Sequence, residues 1–201
     1  KLHNVKNINM IDSKFIPDKI AEYIRDTIIY KYVISYNYKN YIINLDYFCS
    51  EKINNIIIFE TIIRRTIFMM IISNTYKSLN IELYDTPFKK TFNCNNHKKC
   101  GLLSPNNVNS GVSYLNNIVI FRKEEMLKLL IHELIHALDI DNKFETSQDI
   151  IKILELFNIN NSKLLVNESY VETWAIIINI FLDLYKKKTK GTKEHKIMLF
   201  K

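Results

Sequence analysis

Two histidines and a glutamate stand close together in one apolar stretch of the chain. His132 and His136 are four positions apart, and Glu133 lies between them. On a helix this spacing places both imidazole rings on the same face, where they can bind one metal ion. Glu133 would then lie beside a water molecule at that metal and could accept its proton. The group therefore predicts metal-dependent hydrolysis.

The residues around this motif predict a buried helix. Apolar side chains fill most positions from Leu129 to Leu138, and the whole segment Lys123–Ile140 has a helical pattern. Two imidazoles in such a helix need polar partners. Taken alone, the motif also fits a pair of core histidines that are hydrogen-bonded to carbonyl groups.

Two acids further along the chain offer a third ligand, since catalytic zinc usually has three protein ligands and one open position. Glu168 and Glu172 are again four positions apart, on the largely apolar predicted helix Asn167–Lys188. A carboxylate is costly to bury, so two carboxylates on the same face of an apolar helix indicate a functional role. One can bind the metal while the other accepts the N–H of a ligand histidine. The spacing does not decide which is the ligand. Two solvated acids at an exposed helix start are the other explanation.

The order of the remaining elements predicts an α+β fold with a small mixed or antiparallel sheet. Residues 28–46 predict two strands joined by a turn near Asn37 and Asn40. The other predicted elements are a helix at Glu51–Ser73, strands at Asn80–Tyr84 and Asn117–Phe121, and a helix at Asp149–Phe157. We expect one domain over residues 1–201: sheet and backing helix in 1–110, active-site and glutamate helices in 111–190, and a tail in 191–201.

The strand predicted at Asn117–Phe121 directly precedes the histidine helix. It is interpreted either as one wall of an active-site cleft or as a plain core strand. An exposed edge on this strand would let a peptide add to the sheet as an extra strand.

The motifs together resemble those of the gluzincin metallopeptidases. In that clan the third ligand often lies in an Asn-Glu pair with an acid four positions on, as in Asn167-Glu168 and Glu172. The resemblance implies one zinc ion per chain, held by His132, His136 and Glu168. It also implies that Glu133 is the general base and that Glu172 orients His132.

Residues 105–180 are more closely similar to metallopeptidases that large DNA viruses of the poxvirus and mimivirus types encode. The similarity lies in Asn109-Ser-Gly-Val-Ser113, Ile118–Glu125, His132–Asp139 and Glu168–Ala175. It implies a viral protein that cleaves protein or peptide substrates, host proteins among them, in the cytoplasm of an infected cell.

Many gluzincins use a further His, Tyr or Arg to stabilise the oxyanion, and this residue is not evident here. The candidates are Arg122, Tyr170, Tyr185 and His195. Two alternatives to a peptidase therefore remain. One is a zinc-binding fold that has lost activity and binds a host factor. The other is a zinc hydrolase of a non-peptide amide or ester, for which a closed pocket would be expected.

Composition argues against nucleic-acid and membrane partners. The net charge is +7, but only four of the 28 basic residues are arginine, the residue that phosphate and guanine contacts prefer. The most apolar stretch, Ile56–Ile72, is interrupted by Glu60, Arg64 and Arg65, which are expensive in lipid. No apolar secretory segment follows Lys1, so we expect a soluble protein.

Two further features receive simple interpretations. Cys94, His97 and Cys100 offer three metal ligands, but their spacing matches no familiar zinc motif, so a polar loop is expected there. Trp174, the single tryptophan, is expected to pack in the core.

Overall fold

The computed structural model describes residues 1–5, 15–54, 56–75, 77–91, 105–141, 147–156, 158 and 166–189. Its strands are β1 (Leu2–Asn4), β2 (Tyr30–Tyr38), β3 (Tyr41–Cys49), β4 (Ser78–Tyr84), β5 (Gly111–Tyr114) and β6 (Asn117–Ile120). Its helices are α1 (Asp18–Thr27), α2 (Ile57–Ile72), α3 (Pro105–Val108), α4 (Met126–Ala137), α5 (Ser147–Leu156) and α6 (Val166–Thr189). This content confirms the predicted α+β class.

The strands form one mixed sheet in the order β1-β2-β3-β4-β6-β5. The pairs β1–β2, β2–β3 and β5–β6 are antiparallel, while β3–β4 and β4–β6 are parallel. The hairpin predicted within residues 28–46 is confirmed as β2–β3. Its turn contains Lys39, which adopts a left-handed backbone conformation with φ of 52°.

Helix α2 is the crossover that the parallel pair β3–β4 requires. It is apolar on most sides and buries Phe59, Ile62, Met69 and Met70. Its start at Ile57 lies later than the predicted Glu51, while its end matches the prediction. It packs against both β3 and α4, which is the position of a backing helix.

Helices cover both faces of the sheet. The larger core joins one face to α2, α4 and α6, the last contributing Val171 and Ala175. The smaller core joins the other face to α1 through Ile20 and Ile24. Helix α4 is thus held between the sheet and two other helices, so its histidines have a rigid support. None of the described helices has the length and apolar character needed to cross a membrane.

The structure places the strand predicted at Asn117–Phe121 in the core and corrects the expectation for Trp174. Strand β6 is not an edge, because it lies between β4 and β5. Its residues Ile118, Val119 and Ile120 are all buried, as in an interior strand covered on both faces. The outer strand is β5, which a short turn joins to β6. Trp174 is not a core residue, since 43% of it is exposed on the outer side of α6.

Candidate metal centre

The second half of α4 and the first turn of α6 bring the predicted ligands together. Each of His132, His136 and Glu168 offers one ligand atom, and these atoms lie within 4.8 Å of one another. Both histidines are partly buried and Glu168 is exposed, so the group is reachable from solvent. The three side chains form a group that could hold a metal ion.

Two carboxylates hold the outer nitrogens of the histidine rings. Nδ1 of His132 lies 3.1 Å from Oε2 of Glu172, and Nδ1 of His136 lies 2.7 Å from Oδ2 of Asp141. In the tautomer that carries its proton on Nδ1, each ring donates a hydrogen bond to the carboxylate beside it. The lone pair of that tautomer lies on Nε2, the nitrogen that faces Glu168.

The inner nitrogens of both rings face the carboxylate of Glu168. Nε2 of His132 lies 3.5 Å from Oε2 of Glu168, and Nε2 of His136 lies 3.6 Å from Oε1 of the same residue. Two imidazole lone pairs and a carboxylate are all acceptors, so the arrangement suits a cation. Two imidazole nitrogens and one carboxylate form a ligand set of a catalytic zinc site. The residues present therefore fit a zinc ion.

The end of α4 explains how Asp141 reaches His136. Asp139 adopts a left-handed conformation with φ of 55°. Its N–H bonds to the carbonyl of His136, and the N–H of Ile140 bonds to the carbonyl of Ile135. These two bonds make a Schellman cap. The chain reverses there, and the buried carboxylate of Asp141 lies beside the imidazole of His136.

Asn167, the residue next to Glu168, also holds Asp141. The side-chain amide of Asn167 donates to Oδ2 of Asp141 at 2.9 Å. The start of α6 is thereby tied to the residue that orients His136. Sequence reasoning missed Asp141, although it placed Asn167 beside Glu168.

Glu172 accepts from a lysine as well as from His132. Nζ of Lys128 donates to Oε1 of Glu172 at 2.5 Å. Burial alone would raise the pKa of Glu172, but the hydrogen bond and charge of Lys128, together with His132, lower it. Glu172 is therefore ionised and suited to accept the N–H of His132.

The electrostatics of the site keep His132 neutral. Burial lowers the pKa of His132, and the neighbouring His136 lowers it further, while Glu168 and Glu172 act in the opposite direction. A neutral imidazole is the form that binds a metal.

Glu133 lies on the side of α4 that faces β5. It is 5% exposed, and burial raises its pKa to about 7, although a hydrogen bond from Ser113 acts against that rise. A Cβ atom added at Gly111 would lie 3.1 Å from Oε1 of Glu133. The glycine thus allows the outer strand to approach this carboxylate closely.

The structure describes three of the four residues considered for oxyanion stabilisation, and each makes other contacts. Arg122 is buried and donates to the carbonyls of Asn109 and Lys89 at 2.9 and 2.6 Å. Tyr170 is two positions after Glu168, which turns it toward the opposite side of α6, where it packs near Trp174. Tyr185 packs against Phe181 in the second half of the helix.

The fourth oxyanion candidate, His195, lies outside the described residues. The separate group Cys94, His97 and Cys100, for which a polar loop was expected, also lies outside them.

Comparisons of the chain with protein-family models, with curated proteins and with solved structures found no match.

Proposed function

We propose that the chain is a zinc-dependent metallopeptidase of the gluzincin type. The observation that best supports this proposal concerns both histidine rings. Their Nε2 atoms face Glu168, and carboxylates contact their Nδ1 atoms. That arrangement supports His132, His136 and Glu168 as the ligands of one zinc ion. It supports Glu172 and Asp141 as the acceptors that orient the two histidines.

A zinc ion held there would supply a Lewis acid that polarises the substrate carbonyl and makes a water molecule more acidic. Glu133 would take the proton of the attacking water and pass it to the leaving amine. Its pKa near 7 suits a group that both accepts and releases a proton at neutral pH.

The position of β5 supports a peptide as the substrate. Within the described part of the chain β5 is an outer strand of the sheet, and its Ser113 contacts Glu133. An extended peptide can pair with the free edge of such a strand, and this pairing would carry a scissile bond past Glu133. A host protein of a virus-infected cell would be one source of such a peptide.

Metal content and hydrolysis test this proposal separately. Elemental analysis of protein purified without added metal should find about one zinc per chain, with strong loss in His132→Ala and Glu168→Ala. Glu133→Gln should retain the zinc yet lose about a thousandfold or more in hydrolysis of a quenched peptide library. Full activity of Glu133→Gln would contradict the mechanism, and absence of zinc after reconstitution would contradict the metal centre.

One observation favours a second function. Among the residues that the structure describes, the predicted oxyanion candidates Arg122, Tyr170 and Tyr185 are engaged elsewhere. A zinc-binding fold that sequesters a host protein would need no such residue. It would bind zinc stoichiometrically, hydrolyse no peptide in the library, and form a stable complex with one host protein.

A further inference from the structure

Two glutamates of α6 lie beside the same histidine, and they differ in their other neighbours. Oε2 of Glu168 is 3.5 Å from Nε2 of His132, and Oε2 of Glu172 is 3.1 Å from its Nδ1. Their spacing puts both carboxylates on one side of α6. Their chemistry is identical, so the surroundings must determine which of them a metal ion takes.

Lys128 makes the difference between these surroundings. It lies four positions before His132, and therefore one turn earlier on the same side of α4. Its side chain is only 12% exposed, and its Nζ lies 2.5 Å from Glu172 and 3.5 Å from Glu125. An ammonium group buried to this degree requires nearby acceptors, so Lys128 is held against these carboxylates.

Glu168 has a different environment. Its side chain is 58% exposed and faces the Nε2 atoms of both histidines. Within the described part of the chain, no lysine or arginine forms an ion pair with it. Its negative charge is therefore available to a cation, whereas both oxygens of Glu172 already have donors.

We propose that Lys128 is a positioning residue that selects the third metal ligand: it fixes Glu172 as the acceptor for His132 and leaves Glu168 for the metal. This inference rests on the zinc centre of the proposed function. Without Lys128, Glu172 would lose one of its two donors and a positive charge that offsets its own. A dication would then attract both glutamates, and the ligand set would no longer be unique.

The test combines zinc affinity with the visible spectrum of the cobalt-substituted protein. The full chain is compared with Lys128→Met, Lys128→Arg, Glu168→Ala and the double variant Lys128→Met/Glu168→Ala. Zinc Kd comes from competition with a chromophoric chelator, and circular dichroism checks the fold. Lys77→Met is the matched control, because it removes another lysine that contacts α4 and the carboxylate of Asp139.

The proposal expects Lys128→Met to weaken zinc binding about tenfold and to change the cobalt spectrum. Lys128→Arg should restore both properties, and Lys77→Met should match the parent. Glu168→Ala should lose zinc binding by a hundredfold or more. The double variant should bind zinc about tenfold more tightly than Glu168→Ala, because Glu172 becomes free to replace the missing ligand.

The outcomes separate two failures. A parent protein that binds no zinc would refute the metal centre itself. A parent that binds zinc, with a double variant no better than Glu168→Ala and a Lys128→Met spectrum like that of the parent, would overturn only the role of Lys128. If Lys128→Met does not fold, a Lys128→Arg/Glu168→Ala variant that binds zinc as tightly as the parent would equally overturn it.

Discussion

Two polar clusters join α6 to the helices beside it, one at each half of the helix. In the first half, His132, His136 and Glu168 connect α6 to α4. In the second half, the guanidinium of Arg65 from α2 donates to Asn179 and Asp183 of α6, each at 2.6 Å. Both clusters lie between helices, and both contain a charged group.

The clusters differ in the balance of donors and acceptors. Arg65, which is 4% exposed, has donors that meet a carboxylate, an amide oxygen and the carbonyl of Leu127. In the group formed by His132, His136 and Glu168, the Nε2 atoms of two imidazole rings instead face a carboxylate. A cluster with matched donors and acceptors contributes to the folded state by itself, whereas a cluster of acceptors gains stability when a cation binds. The balance of donors and acceptors thus separates a structural cluster from a binding site.

The largest effect on the free energy of unfolding should come from zinc binding to His132, His136 and Glu168. At a free zinc concentration about a thousandfold above Kd, binding should stabilise the folded chain by about 4 kcal/mol, because zinc binds the folded state preferentially. Thermal unfolding in chelator and in zinc measures the difference. His132→Ala should remove this zinc-dependent gain. An equal zinc-induced rise in the Tm of parent and His132→Ala would show that zinc binds elsewhere.

The contribution of the Arg65 cluster to stability should not depend on zinc. Arg65→Met removes the donors that Asn179 and Asp183 accept from, and we expect a loss of about 3 kcal/mol in unfolding free energy. This lies at the low end for a buried pair, since half of the Asp183 side chain is exposed. The loss should be equal in chelator and in zinc, as measured by urea unfolding. A loss that appears only with zinc present would contradict the distinction between the clusters.

Asp141 should have a smaller effect that appears only in metal binding. Asp141→Asn keeps the size of the side chain but removes the charge beside Nδ1 of His136. We expect zinc affinity to fall about tenfold, or about 1.4 kcal/mol. Chelator competition measures it. Asp139→Asn is the control, because Asp139 lies in the same turn but contacts Lys77. Equal affinities of the two variants would refute the role of Asp141.

The sequence predicted the parts of the site that depend on helical spacing. His132, His136 and Glu168 stand on long apolar segments, where a four-residue spacing fixes a shared face. The helices α2, α4 and α6 were predicted for the same reason. Asp141 could not be found this way, because it acts through a chain reversal. Nothing in the sequence distinguishes it from Asp139, which lies in the same turn.

The order of the strands could not be predicted from the sequence, for a related reason. Strand β5 has only four residues, which begin with glycine and include few apolar side chains, so its pattern is weak. It forms because the turn after Tyr114 pairs it with β6. The apolar run in β6 indicated a strand but not its neighbours, so the sequence left both an exposed edge and a core strand open. Strand β1, with three residues, is shorter still. Helix α1 has ten residues and buries Ile20 and Ile24, four positions apart, so its pattern was present in the sequence and was missed.

The smallest effect expected is at Gly111, where β5 approaches Glu133, the proposed general base. A Cβ atom there would lie 3.0 Å from the carbonyl of Val119, 3.1 Å from Oε1 of Glu133 and 3.2 Å from Leu129. Gly111→Ala should therefore move the strand or the carboxylate by a few tenths of an ångström. The expected cost is about 1 kcal/mol of stability and about a tenfold lower kcat on a cleaved peptide.

A neighbouring residue on the other face of the same strand provides the matched control. Val112 packs with the core that α1 covers, away from Glu133. Val112→Ala should lower the Tm by a similar amount while kcat stays within about twofold of the parent, because it leaves the contact with Glu133 intact. Zinc content should be unchanged in both variants, since neither position contacts a ligand. If kcat falls equally in both, the loss comes from a weakened sheet, and the close approach of β5 to Glu133 has no part in catalysis.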